Sequence, residues 1–236
     1  MAPPSGPAPD GPFPCKDHPT VLRRPLLAVC LALGLGAAAA PPALAAPAPA
    51  RLTAQQQTTL AQVEEYLNSV HTLQSKFVQA APSGSQTSGT FYLSRPGKMR
   101  LDYDPPVKDF IVADGTFVFY WDGEMQQQSS APIGSTLADF ILRKDIRLSG
   151  DVTVTDVFQA PGVVEVSLVE TKDPGKGTLT LVFEDRPLQL RKWRVLDAQG
   201  LTTEVALLNP RTGLPLDRDL FYFREPKRGN DFGRGN

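Results

Sequence analysis

Few residues in this sequence have the types and spacing that chemistry requires. His71 is the only histidine beyond residue 45, and neither a cysteine nor a second histidine lies beyond that point to share a metal, so it reads as a helix-end residue. Asp102 and Asp104 fall on one strand face, a spacing open to acid–base work, yet alternating acidic residues on a strand also describe a solvated face. No G-x-S-x-G, Walker or H-E-x-x-H pattern occurs, and both thiols, Cys15 and Cys30, precede residue 45. The chain lacks the parts of an enzyme, and neither a cofactor nor a metal is expected. Arg95 is the anomaly, because it shares a strand face with Phe91 and Leu93. Either its stem covers apolar surface while its head reaches water, or it is a buried donor fork that a loop or helix must satisfy.

The elements that must position Arg95 are strands. From Gly89 to Asp122 apolar side chains recur at every second residue between turn signals. Phe91, Leu93 and Arg95 lie on one face, Pro96-Gly97 turns the chain, and Met99, Leu101 and Tyr103 alternate on the return. Pro105-Pro106 ends that strand, a third run covers Val107 to Ala113, and Asp114-Gly115 turns into Phe117–Trp121. Asp122-Gly123 leads into a run over Glu124–Ser129, and Pro132-Ile133-Gly134 breaks the sheet. Before all of this, Thr53 caps an amphipathic helix over Ala54–Asn68, with Leu60, Val63 and Leu67 on one side, and a strand begins near Leu73. Ser135 or Thr136 caps a short helix, ending near Lys144, whose Leu137, Phe140 and Ile141 share a side. Further strands are expected at Val152–Phe158, Val163–Glu170, Thr178–Glu184, Leu188–Leu196, Thr202–Leu207 and Leu220–Phe223.

So many meandering strands with two helices predict a mainly β fold: an incomplete, half-open antiparallel barrel with an N-terminal helix and short covering helices. Phe117, Phe119 and Trp121 on one face against Val118 and Tyr120 on the other leave two readings open. Both faces could be packed, or one could pack while the other lines a hydrophobic cavity.

The first 45 residues differ in kind. A Pro-rich stretch precedes Arg23-Arg24, an apolar run from Leu26 to about Ala40 and the small residues Ala43-Leu44-Ala45, the pattern of a secretory signal cleaved between Ala45 and Ala46. Leu27–Cys30 superficially resembles a lipidation box, but Val29 is bulky for its position and the apolar run continues past Cys30. Cleavage removes both cysteines, so the remaining chain forms no disulfide in an oxidising compartment. The organisation expected is a leader over 1–45, a linker over 46–52, one domain over 53–226 and a mobile tail over 227–236. A net charge of −1 and the lack of a basic block give nucleic-acid binding no electrostatic support. An exported, soluble monomer is expected.

Several weak motifs occur in a telling order: the first helix, F-x-Q at Phe77–Gln79, G-x-F-x-L-x-R-P-G at Gly89–Gly97, Y-x-x-P at Tyr103–Pro106, then Asp114-Gly115. The helix after the sixth strand, D-x-x-G at Asp197–Gly200 and F-x-F-x-x-P at Phe221–Pro226 follow. This order resembles the periplasmic outer-membrane lipoprotein carriers of the LolA type. The resemblance implies helices covering a cavity for lipoprotein acyl chains, lined by Phe91, Leu93, Met99, Leu101, Tyr103, Phe119, Trp121, Leu137, Phe140 and Ile141. It gives Arg95 the role of latch, holding the cover shut through hydrogen bonds, here expected to the segment Ile133–Leu142. It implies lipoproteins as cargo, an inner-membrane lipoprotein-releasing ABC transporter as donor and an outer-membrane acceptor as recipient. Met99 and Leu101 stand where many members carry an aromatic pair. The same fold also suits a carrier or sensor of another lipid, or, were Cys30 lipidated, an outer-membrane acceptor.

Overall fold

The computed structural model describes residues 48–136 and 138–226. The expected leader with its cleavage site, both cysteines, Leu137 and the tail beyond 226 lie outside these residues. Helix α1 (Ala54–Ser69) begins with a reciprocal cap: Gln56 N–H donates to Thr53 Oγ1 at 3.3 Å, and Thr53 N–H donates to Gln56 Oε1 at 2.9 Å. The helix buries Val63 and Leu67, which the spacing marked, together with Thr59, while Leu60 is half-buried. Strands β1 (Thr72–Ala80), β2 (Gln86–Ser94), β3 (Lys98–Tyr103), β4 (Phe110–Asp114), β5 (Phe117–Asp122) and β6 (Gln127–Pro132) then run as consecutive hairpins. A 3-10 turn at Ile133–Ser135 leads into the short helix α2 (Ala138–Leu142). Strands β7 (Val152–Ala160), β8 (Val163–Glu170), β9 (Gly177–Glu184), β10 (Gln189–Asp197) and β11 (Thr202–Thr212) complete the sheet.

All eleven strands form one antiparallel sheet in the order β6-β5-β4-β3-β2-β1-β11-β10-β9-β8-β7. Its ends, β6 and β7, do not pair, so the sheet is open and not closed, as expected. One apolar cluster runs along its inner face, from Ile133 and Ala113 through Phe91 and Phe77 to Leu181 and Val154, and includes Val63 and Leu67 of α1 and Phe140 and Leu142 of α2. Phe77 and Gly89 are opposite each other in the β1–β2 pair. A Cβ at position 89 would run into the backbone carbonyl of Asp102 and lie 2.7 Å from the Phe77 ring, which explains the glycine that opens the G-x-F-x-L run.

Four expected boundaries shift, each for a visible reason. The run Val107–Ala113 forms strand only from Phe110; just before it the segment after Pro105-Pro106 is held by the Asp109 carboxylate, which accepts from Tyr120 Oη (2.8 Å) and Gly123 N (2.9 Å). The run at Glu124–Ser129 pairs only from Gln127, since the Asp122 carboxylate holds Glu124 and Met125 in a turn and Gln126 takes a positive φ of 54°. β11 continues past Leu207 through Pro210. Its register skips from Lys76↔Leu208 to Gln74↔Arg211, so Asn209 and Pro210 bulge out of the pairing and the proline's missing N–H is harmless. Finally, Leu220–Phe223 is not a strand. Arg218–Phe221 form a 3-10 turn capped by Asp217, a distinction that a short apolar run does not encode.

Candidate functional site

The site grows from the end of α1. A helix terminus leaves its last carbonyls without partners inside the helix. Here Val70, the C-cap, and Leu67 receive the Arg95 guanidinium: Nε donates to Val70 O at 2.8 Å, and Nη2 reaches the carbonyls of both Leu67 and Val70. Arg95 N–H also donates to His71 O at 2.8 Å. A cation at a helix C-terminus complements the helix dipole. Burial lowers the affinity of the guanidinium for its proton, and the neighbouring Tyr66 hydroxyl opposes that effect. Burial likewise pushes the Tyr66 phenol above its ordinary value, while the hydrogen bond from Leu190 N (3.1 Å) and the charges of Arg191 and Arg95 pull it back. The expected link from Arg95 to Ile133–Leu142 is therefore corrected: its partners are carbonyls of α1. The adjacent turn makes the other link, since Gly97, at φ 80°, donates its N–H to Leu142 O at 2.8 Å.

Below Arg95 lies an apolar cavity of about 30 Å³, walled by Leu67, Phe91, Leu93, Ile141, Leu190 and Trp193 among others. That is roughly the liquid volume share of one water molecule. A second cavity of about 230 Å³ lies on the other side of α2, between Phe140 and the strand residues Val152, Leu168 and Leu179. Asp139, Arg143 and Asp151 stand at its rim, where Arg143 bridges Asp139 (2.6 Å) and Asp151 (3.3 Å). The five residues of α2 thus separate two cavities, with Ile141 turned to one and Phe140 to the other.

Of the residues expected around a cavity, Phe91, Leu93 and Ile141 surround the first and Phe140 the second. Met99 and Leu101 are on the same inner face but buried in its packing at 6% and 5% exposure, and line neither cavity. Tyr103 is half-buried on that face, edge-on to Phe77 at 5.4 Å, and its hydroxyl donates to Gln79 Oε1 at 2.9 Å. Phe119 and Trp121 are corrected. They face outward, where Trp121 joins Phe110 and Val112, and Phe223 from the C-terminal segment stacks on Phe119 at 5.0 Å. The β4–β5 register, Val112↔Phe119 and Phe110↔Trp121, puts Val118 and Tyr120 on the opposite face, where Val118 packs on the inner core and Tyr120 stays exposed. Asp102 and Asp104 pair separately with Arg100 (2.7 Å) and Lys76 (3.3 Å), as a solvated face does, and His71 is exposed.

Sequence reasoning missed Tyr66, Trp193 and the Asn68 amide, which both accepts from Ile146 N (2.8 Å) and donates to Ile146 O (2.9 Å). Trp193 carried a signal, its alternation with Val195 along β10. The Asn68 pairing, 78 residues apart in sequence, carried none.

The family described as "Outer membrane lipoprotein carrier protein LolA" matches residues 68–224. An outer-membrane lipoprotein carrier protein of Methylococcus capsulatus is 29% identical over 179 residues, covering 72% of this chain and 86% of that protein. One from Dechloromonas aromatica is also 29% identical, over 175 residues, 70% of this chain and 83% of the relative. Among solved structures, the LolA superfamily protein NE2245 of Nitrosomonas europaea aligns over 70% of this chain and 97% of its own, at 10% identity and a TM-score of 0.40. With the family pattern running from the end of α1 to the C-terminal segment, the chain belongs to the LolA family of outer-membrane lipoprotein carriers, which are transport proteins and not enzymes.

Proposed function

We propose that this protein is a soluble periplasmic carrier that shelters the acyl chains of lipoproteins under α1 and α2 and shuttles them from the inner to the outer membrane. The family is periplasmic, in keeping with the exported character of the leader. The observation that carries the reading is the position of α2 as a thin wall between two cavities floored by one apolar core. An acyl chain costs about 0.8 kcal/mol for each CH₂ returned to water, so a carrier needs dry surface. Ligand pockets typically measure roughly 300–1,000 Å³, so loading requires α2 to move and the two spaces to merge. Besides the burial of Phe140 and Leu142, its polar ties to the rest of the sheet are few: one backbone hydrogen bond at Gly97 and the Arg143–Asp151 ion pair. Apolar walls that cover one another when closed and cover acyl chains when open keep the two states close in free energy, which permits release as well as uptake.

In this reading the cargo arrives from an inner-membrane lipoprotein-releasing ABC transporter, leaves to an outer-membrane acceptor, and travels on a monomer. Native mass spectrometry of the protein isolated from the periplasm should find a fraction carrying an acylated protein, and the purified protein should withdraw such a protein from liposomes. Bound lipid without polypeptide would make it a carrier of free lipid. Retention of neither would overturn the reading.

A further inference from the structure

The two ends of the sheet are treated differently. Along β7, Ala50 N–H donates to Val154 O at 2.9 Å and Gln56 Nε2 donates to Val157 O at 2.8 Å, so the segment before α1 and the helix itself occupy that edge. β6, at the other end, pairs with β5 alone among the described residues. Every residue of β6 except half-buried Ala131 is exposed, and the stretch from Met125 to Ser135 carries no charge. Edge strands are ordinarily blunted by charges, prolines, bulges or a cover, because a free row of N–H and C=O groups is a template for another strand; within β6 only Pro132 is of that kind.

The phase of that row follows from the pairing. Phe117 is opposite Pro132, and Ile133 N–H donates to Thr116 O at 3.0 Å. In an antiparallel ladder, residues alternate between turning both backbone groups toward the partner and turning both away. Ala131 and Ser129 therefore share the inward phase with Ile133, while Pro132, Ser130 and Gln128 turn outward. Pro132 sits where a missing N–H costs β5 nothing. Ser130 and Gln128 present their N–H and C=O to solvent.

We propose that the outward edge of β6 receives an extended polypeptide by strand addition, and that the occupant is the polypeptide attached to the acyl chains of a bound lipoprotein. This rests on the carrier reading. β6 runs through the turn at Ile133–Ser135 directly into α2, and Ile133 is part of the inner core. Lipid held beneath α2 is covalently tied to polypeptide, which must leave where the sheet is open, between β6 and β7. Ala50 and Gln56 already occupy β7, which leaves β6. Main-chain pairing places little demand on sequence, which suits cargo defined by its lipid.

The test compares two ligands: an acylated cysteine extended by a short unstructured peptide, and the same acylated cysteine as a bare amide. The protein should bind the extended ligand about tenfold more tightly, as expected for one or two net hydrogen bonds. Ser130→Pro and Gln128→Pro should each remove that preference and leave the bare ligand's affinity unchanged, which also verifies the fold; Ser130→Ala should keep the preference. Without any substitution, the amides of Ser130 and Gln128 should gain protection from hydrogen exchange with the extended ligand only. A bare ligand that binds with no preference for the extended one, or a preference that survives both prolines, overturns the proposal and spares the carrier reading. Failure to bind either ligand overturns both. A concentration-dependent dimer that Ser130→Pro abolishes would assign the edge to a second copy of the chain, against the proposal.

Discussion

Arg95 Nε donates to the carbonyl oxygen of Val70 at 2.8 Å, so an arginine at the end of β2 closes the last turn of α1. Replacing it with leucine removes charge-assisted bonds of a kind worth about 1.5–3 kcal/mol and leaves the Leu67 and Val70 carbonyls short of donors. In the carrier reading the end of α1 lifts together with α2 on loading, so the closed arrangement loses that contribution, whereas an opened, lipid-filled one gains an apolar wall. Arg95→Leu should lower the denaturant midpoint and raise the fraction of carrier co-purifying with lipoprotein, while delivery to the acceptor falls. Arg95→Lys should restore part of both, since a point charge does not reproduce the planar fork. Equal bound fractions in wild type and Arg95→Leu would reduce Arg95 to a helix-end cap.

Three substitutions separate the inner cavity, the inner packing and the outer face. Ile141 is half-buried on α2 beside the smaller cavity, so Ile141→Glu should abolish lipid uptake with little change in melting temperature. Met99 is packed in the core, and Met99→Glu should cost several kcal/mol of stability, because its carboxylate would have no hydration. Trp121 belongs to the outer aromatic cluster, and Trp121→Ala should cost roughly 3 kcal/mol yet leave uptake by the folded fraction intact. Paired thermal melts and lipid-binding titrations check all three. Loss of uptake in Trp121→Ala would place lipid on the outer face instead.

The phenols of Tyr66, Tyr103 and Tyr120 are all raised above the ordinary value of 10.0, chiefly by burial; the Asp109 carboxylate adds to the shift at Tyr103 and Tyr120, where it also accepts the Tyr120 hydroxyl. In the unfolded chain these groups lose their protons near pH 10, while the folded chain still holds them, so the unfolded state binds fewer protons above that pH. The stability associated with them is complete below pH 10 and declines as pH rises toward the folded-state values. Denaturant midpoints should fall above about pH 10, and Tyr103→Phe should make the decline shallower. An unchanged slope in that variant would mean that Tyr103 ionises in the folded protein as it does in the unfolded chain.

Much of the frame was legible in the residues themselves. Leu60, Val63 and Leu67 recur at helical spacing behind a Thr53 cap, and the cap and the buried face both follow from local chemistry. Strict alternation with Gly and Pro punctuation marked the strands and most of their turns. Where alternation was apolar on both faces, as from Phe117 to Trp121, no local rule says which face is inner, because a period of two fits either choice.

By itself, then, the sequence determined the antiparallel meander, the capped helix, the want of catalytic parts and Arg95 as the polar residue on an apolar strand face. Tertiary structure alone decided that Phe119 and Trp121 turn outward, through their register with Val112 and Phe110. It also decided that Arg95 binds α1 while Gly97 holds α2, and that β6 is left as the free edge among the described residues. The reason is physical. These decisions are made by backbone carbonyls and amides that every residue carries, so their choice of partner leaves no mark on side-chain type and is fixed only when distant segments meet.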